Sequence, residues 1–153
     1  MSAEPSQLKA RLTDDMKQAM KSGDKQRLGV IRLLLSAIKQ KEVDERVVLT
    51  DDDIFAILVK QTKQRRESIA QFEAAGRTDL VTTEQYELGV IETYLPEKLS
   101  EAEIRQIIAE VIAAMGTVGV AQMGAVMNAV RAKVAGRADL AAVSQWVKAA
   151  ITG

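Results

Sequence analysis

Residues 60–66 read KQTKQRR and set Lys60, Lys63, Arg65 and Arg66 close together in the chain, an array that could hold an anion. On a helix, each residue turns the chain by about 100°, and that rotation divides the four. Ile54, Leu58, Ile69 and Phe72 share one stripe, and Gln61, Arg65 and Ser68 fall on it, whereas Lys60, Lys63 and Arg66 point elsewhere. Arg65 is therefore expected on the packed side. An unpaired charge there is strongly unfavourable, so it needs carboxylates or carbonyls. Two readings follow: an internal ion pair with Glu42, Asp44 or Glu45 of the preceding connector, or an anion-binding pocket.

Other chemistries are poorly supplied. Asp51, Asp52 and Asp53 could suggest a metal site, but consecutive helical residues point in different directions, and acids at a helix start are explained by capping and the dipole. No metal is expected. The chain has no cysteine and no histidine, which removes disulfides, thiolate ligands, a thiol nucleophile, the commonest general base and the commonest zinc ligand. MGTVGV, residues 115–120, lacks the lysine of a phosphate-cradling loop, and the serines lack a base. No catalytic residue and no cofactor is expected.

The third candidate is GAVMNAVRAKVAGRADLAAVSQWVKAA, residues 124–150. Met123, Val126, Met127, Val130 and Val134 centre a core stripe. Opposite lie Ala125, Asn128, Ala129 and Ala132, without charge or bulk, with Arg131 and Lys133 at the margins. Small side chains would let a partner approach the backbone while the cations hold phosphates. Equally, alanines are simply good helix formers. Residues 116–153 carry Arg131, Lys133, Arg137 and Lys148 against Asp139 alone, a balance of +3 in a chain of net charge zero. That tilt favours a polyanionic partner. Trp146, flanked by Val143 and Val147, reads as core more than as a stacking platform.

These residues require helices to position them. Leu8, Leu12, Met16 and Met20 predict a first helix, ending at Gly23; Asp24 caps a second, whose apolar residues from Leu28 to Ile38 make it look buried on most sides. A third runs from Thr50 to Ala75, and Thr82 or Thr83 opens a fourth that ends before Pro96. Ser100 with Glu103 forms a capping box for a fifth, ending at Gly116; a sixth spans about residues 120–134 and a seventh about 139–151. The fold class is all-α. The expected organisation is an N-terminal four-helix domain, residues 1–95, and a C-terminal three-helix bundle, residues 96–153.

Several stretches together resemble the GatB/YqeY family: LLLSAIKQKEVDE, LTDDDI, KQRRESIAQFEAAGRTDL, YLPEKLSEAEI and MGAVMNAVRAKVAGRADLAAVSQWV. The likeness covers nearly the whole chain, in order, and is to the free-standing members. It implies a helical N-terminal domain and a C-terminal domain similar to the tail of the B subunit of tRNA-dependent amidotransferases, which contacts tRNA. It points to Gly124, Met127 and Arg131, to Gly136, Arg137, Ala138 and Asp139 in the GRAD turn, and to Ser144 and Lys148. With the reading of the residues, this gives Gly124, Asn128, Arg131, Lys133, Gly136, Arg137 and Lys148 as candidate nucleic-acid contacts. The catalytic and ATP-handling parts of those amidotransferases have no counterpart here. The expected function is a translation-related accessory module without its own catalytic site, binding tRNA or other structured RNA. The alternative is a module that docks on an amidotransferase or aminoacyl-tRNA synthetase subunit; an aminoacyl-tRNA-modifying enzyme is the third reading. Met1–Ala10 lacks the apolar core of a signal peptide, and no run approaches the ~18 apolar residues of a membrane span, so a cytoplasmic protein with no membrane partner is expected.

Overall fold

The serines, threonines and aspartates that precede apolar periodicity start the helices of this chain, and positive-φ residues stop several of them. A computed structural model describes residues 6–116 and 118–152, and among these every regular element is helical. The helices are α1 (Gln7–Ser22), α2 (Lys25–Glu45), α3 (Asp51–Ala74), α4 (Thr78–Glu92), α5 (Glu101–Met115), a 3₁₀ turn (Val120–Gln122), α6 (Met123–Val134) and α7 (Leu140–Thr152). The all-α expectation holds. The signal-peptide reading of Met1–Ala10 falls partly on residues 1–5, and the centre of MGTVGV on Thr117, both outside the described residues. The chain divides into two compact units, Met1–Pro96 and Glu97–Gly153.

In the first unit, Ser6, Asp24 and Thr50 accept backbone N–H bonds at the starts of α1, α2 and α3, and Thr50 with Asp53 completes a capping box. Gly23 (φ 74°) ends α1, and Gly76 (φ 70°) follows α3. Arg46 ends α2 at φ 54° without being glycine. The core joins Leu8 and Leu12 of α1, Val30, Ile31, Leu34 and Ile38 of α2, Leu49 just before α3, Ile54 and Leu58 of α3, Val90 and Ile91 of α4, and Tyr94 just after it.

Three expectations need correction. Helix α4 starts at Thr78; the Thr82 and Thr83 hydroxyls donate to the carbonyls of Thr78 and Asp79 one turn earlier, so both lie inside the helix. Helix α2 is buried on one side only: Leu33 is 54% exposed, because Ile31, Leu34 and Ile38 already face the neighbouring helices. Met20 is likewise exposed, and Ala19 takes the buried place beside it.

Polar contacts fasten the apolar core. Ser6 donates to the Asp51 carboxylate, which also accepts from the Leu8 N–H. The Lys9 ammonium lies 2.7 Å from Glu42, whose other oxygen accepts the Leu49 N–H at 3.1 Å. Both bonds favour the charged form, led by the bond from Lys9, and hold the Glu42 carboxyl below its ordinary range. Tyr94, 2% exposed, donates to Asp15 at 2.5 Å, and the Arg11 guanidinium sits over its ring at 4.6 Å.

These contacts give two expected pH effects. A lowered Glu42 pKa contributes stability that is present above the unfolded-state value and disappears as pH falls through the folded-state value. Glu42→Gln is therefore expected to lower the urea midpoint at neutral pH, with the gap to the unsubstituted protein closing below about pH 4. Burial first, then the bond to Asp15, pushes the Tyr94 phenol up to about 12. Its contribution is complete below the unfolded-state value and is lost as pH rises through the folded-state value. Tyr94→Phe should cost about 1–2 kcal/mol at neutral pH. An ultraviolet titration should lose a phenol that ionises near 12 in the unsubstituted chain; ionisation of every tyrosine near 10 would contradict the burial argument.

Candidate functional site

The second unit is a three-helix core whose remaining surfaces are the candidates for binding. Ser100 and Glu103 form the expected capping box at the start of α5, with the Ser100 backbone bond the main influence holding the Glu103 carboxyl low. Ile104, Ile108 and Val111 of α5 meet Val126, Val130 and Val134 of α6 and Val143 and Val147 of α7. Val126, Val130, Val134 and Val143 have no exposed surface.

Burial of that valine stripe turns the other side of α6 outward. Gly124, Ala125, Asn128, Arg131, Ala132 and Lys133 are exposed, as are Ser144 and Lys148 on α7. The Arg131, Lys133 and Lys148 side chains make no ion pair among the described residues. Gly124 is informative in a different way. A Cβ built there would meet no atom within 4 Å, so internal packing does not call for glycine. Glycine inside a helix is about 1 kcal/mol worse than alanine.

The GRAD turn behaves differently from the rest of the candidate set. Gly136 is buried and adopts φ 74°, which suits glycine. The Arg137 N–H donates to the Val134 carbonyl at 2.8 Å, and the Arg137 carbonyl accepts the Leu99 N–H at 2.9 Å. Its guanidinium donates from Nε to the Glu97 carbonyl at 2.9 Å. Ala138 is buried, and Asp139 accepts the Ala141 N–H at the start of α7. Gly136 and Arg137 thus tie the α6–α7 turn to the segment before α5, while Gly124, Asn128, Arg131, Lys133 and Lys148 remain on the surface.

Arg65 stands in an ion pair whose partner differs from the expectation. Its Nε lies 3.2 Å from Glu87 on α4, and Nη1 donates to Gln61 at 3.2 Å. Glu42, Asp44 and Glu45 are not its partners. Arg65 is fifteen residues beyond Thr50, about 22 Å along α3, so the connector before α3 is out of reach. Glu42 is engaged by Lys9 instead. Of the three aspartates opening α3, Asp51 is bonded to Ser6 and Asp53 to Thr50, and no group of three acids among the described residues is arranged to hold a metal.

Trp146 is half-buried against the core, with the Arg105 guanidinium 5.4 Å from its ring centre. Arg105 is a residue that sequence reasoning missed. A separation of forty-one positions leaves no local signal for that contact.

A family model described as Yqey-like protein matches residues 9–151. The chain belongs to that family. The mitochondrial protein named altered inheritance of mitochondria protein 41 from Pyrenophora tritici-repentis is 32% identical over 130 residues, covering 84% of this chain and 71% of the relative. Its namesake from Eremothecium gossypii is 43% identical over 90 residues, 56% of this chain and 48% of the relative. That from Saccharomyces cerevisiae strain YJM789 is 35% identical over 109 residues, 69% and 59%. The chain therefore spans about half the length of some curated relatives it matches.

These relatives also correct the expectation of a cytoplasmic protein, since each is named as mitochondrial. That expectation rested on the lack of a long apolar run, which bears on membrane spanning and is silent about which aqueous compartment a chain occupies. No single helix among the described residues is long and apolar enough to cross a membrane.

The two arginines of the Yqey-like C-terminal unit should separate under substitution. Arg137→Ala is expected to destabilise the chain by about 1–2 kcal/mol by removing a charge-assisted bond to a backbone carbonyl. Arg131→Ala should stay within about 0.5 kcal/mol. Chemical denaturation of the full chain checks both; equal midpoints would mean that the Arg137 guanidinium does not hold the turn.

Proposed function

We propose that this Yqey-like chain is a nonenzymatic binding module for structured RNA, with tRNA the first candidate, acting through the outward side of α6 and the adjoining surface of α7. The observation that carries the reading is the exposed set Gly124, Ala125, Asn128 and Ala132, edged by Arg131 and Lys133, which make no ion pair among the described residues. A glycine that packing does not require leaves the helix backbone open to a close approach. Asn128 can donate to phosphate or sugar oxygens, and the cations supply the electrostatic attraction. The resemblance to the tail of tRNA-dependent amidotransferases gives this surface a natural ligand class.

A second reading is docking on an amidotransferase or synthetase subunit. It is favoured by the alanine-lined groove of α5 and α7, where Ala109, Ala113 and Ala150 adjoin Trp146. Binding to such a subunit that survives RNase and high salt would support it.

The RNA reading is tested by titrating labelled, deacylated tRNA with the full chain at several salt concentrations. Each lost phosphate contact should make the log–log salt slope shallower by a little under one. Combined Arg131→Ala, Lys133→Ala and Lys148→Ala should therefore weaken binding about tenfold or more at moderate salt and make the slope shallower by about two. Gly124→Gln should weaken binding while leaving the fold intact by circular dichroism. Unchanged affinity and slope in these variants would remove the surface from consideration.

A further inference from the structure

The outward side of α2 carries a row of cations that the C-terminal reading does not use. Lys25, Arg32 and Lys39 recur every seven residues, so at about 100° per residue they drift by only about 20° from one to the next. All three are exposed, and the row runs about 21 Å along the helix. Between them lie Gly29 and Ser36, also exposed. The burial pattern of α2 fixes this arrangement, because Ile31, Leu34 and Ile38 occupy the opposite side and form part of the core.

The row is free of acid. Helix α2 has three acidic residues, and each is matched elsewhere. Glu42 holds Lys9 and the Leu49 N–H, Asp44 accepts from Gln40, and Glu45 pairs with Lys41. Several other cations of the first unit are paired: Arg65 with Glu87, Arg66 with Glu92, Arg77 with Asp79. Lys25, Arg32 and Lys39 have no ion pair among the described residues. Gly29 adds an independent observation. It sits inside the helix, where glycine is unfavourable by about 1 kcal/mol relative to alanine, yet a Cβ there would touch nothing within 4 Å. The free space lies outside the fold, between two of the cations.

We infer that this face of α2 is a second phosphate-contacting surface, fitted to the sugar–phosphate backbone of double-helical RNA, so that the first unit contributes to RNA binding as well as the second. The inference rests on the RNA reading given above for the kind of partner, and on Lys25, Arg32, Lys39 and Gly29 for the place. Charge complementarity selects a polyanion. The small residues between the cations select a rigid one that presents charge at regular intervals and lies close to the helix, and the Ser36 hydroxyl is suited to phosphate oxygens or a ribose hydroxyl. An anionic membrane fits less well: a helix lying on a bilayer presents its apolar side outward, whereas that side of α2 is in the core. An acidic partner helix would interlock several apolar side chains between the charges, whereas the positions directly between the cations are held by Gly29 and Ser36, and Leu33 is the one large apolar side chain exposed beside them among the described residues of this stretch.

The test uses the full chain with a labelled duplex RNA, comparing the unsubstituted protein, Lys25→Gln/Arg32→Gln/Lys39→Gln, and the α6–α7 triple variant. The α2 variant should bind about tenfold or more weakly at moderate salt, with a log–log slope shallower by about two. Circular dichroism controls for folding, and Lys25→Arg/Arg32→Lys/Lys39→Arg, which preserves every charge, should bind like the unsubstituted chain. Gly29→Gln should reduce affinity with no change in charge. Full binding by the α2 variant alongside loss in the α6–α7 variant overturns this inference and leaves the C-terminal reading standing. The reverse pattern supports it and removes the C-terminal surface. No duplex binding by the unsubstituted chain overturns the inference, while retained binding to tRNA in the same assay would leave the C-terminal reading in place. Affinity for polyglutamate or anionic vesicles that falls in the α2 variant, with RNA binding unaltered, also overturns it, in favour of an acidic protein or a membrane.

Discussion

Every surface of interest in this chain follows from one constraint: an amphipathic helix in a small bundle can bury only one side. In α2 the buried positions are Val30, Ile31, Leu34 and Ile38, and in α6 they are Val126, Val130 and Val134. Full burial of such side chains contributes about 1.5–3 kcal/mol each, which outweighs the gain available to any single exposed contact. The apolar stripe therefore sets the rotation of each helix. The Lys25–Arg32–Lys39 row and the Gly124–Asn128–Arg131 side are placed in solvent as a result. With no cysteine in the chain, no disulfide assists either core.

Polar contacts divide the charged residues into two groups. One group is structural: Glu42 joins α1, α2 and the start of α3 through Lys9 and Leu49, Asp15 joins α1 to Tyr94, Glu87 joins α4 to Arg65, and Arg137 joins the last turn to Glu97. These bonds link residues far apart in sequence, and those of Glu42, Asp15 and Glu87 are partly buried, so they resist salt better than exposed pairs. The other group makes no ion pair among the described residues. An unpaired surface cation is unremarkable singly, but three in register on a helix without an acid among them form a continuous positive field. The RNA reading proposed for this Yqey-like chain rests on that second group.

Neutral net charge obscures this division. A polyanion binder is ordinarily recognised by excess basic charge, and the totals here cancel. The cancellation is arithmetical, since many acids lie at helix starts or in internal pairs, as Asp51, Asp53, Glu87 and Glu103 do. Which charges remain available to a partner is decided by pairing.

The sequence by itself determined the helical class, most helix ends, the capping boxes at Thr50 and Ser100, the valine stripe of α6 and the family. All of these are local: periodicity, caps and motif order need no knowledge of distant neighbours. The exposure of Gly124, Asn128 and Arg131 was legible for the same reason. Long-range partner choice was not. Tertiary packing decided that Arg65 meets Glu87 and not the connector acids, that Arg137 is tied to Glu97, that Arg105 covers Trp146, and that Leu33 faces solvent beside a row of cations. The physical reason is that a side chain's partner depends on which helices lie side by side, and an apolar stripe fixes the direction a helix faces without naming the helix it will meet.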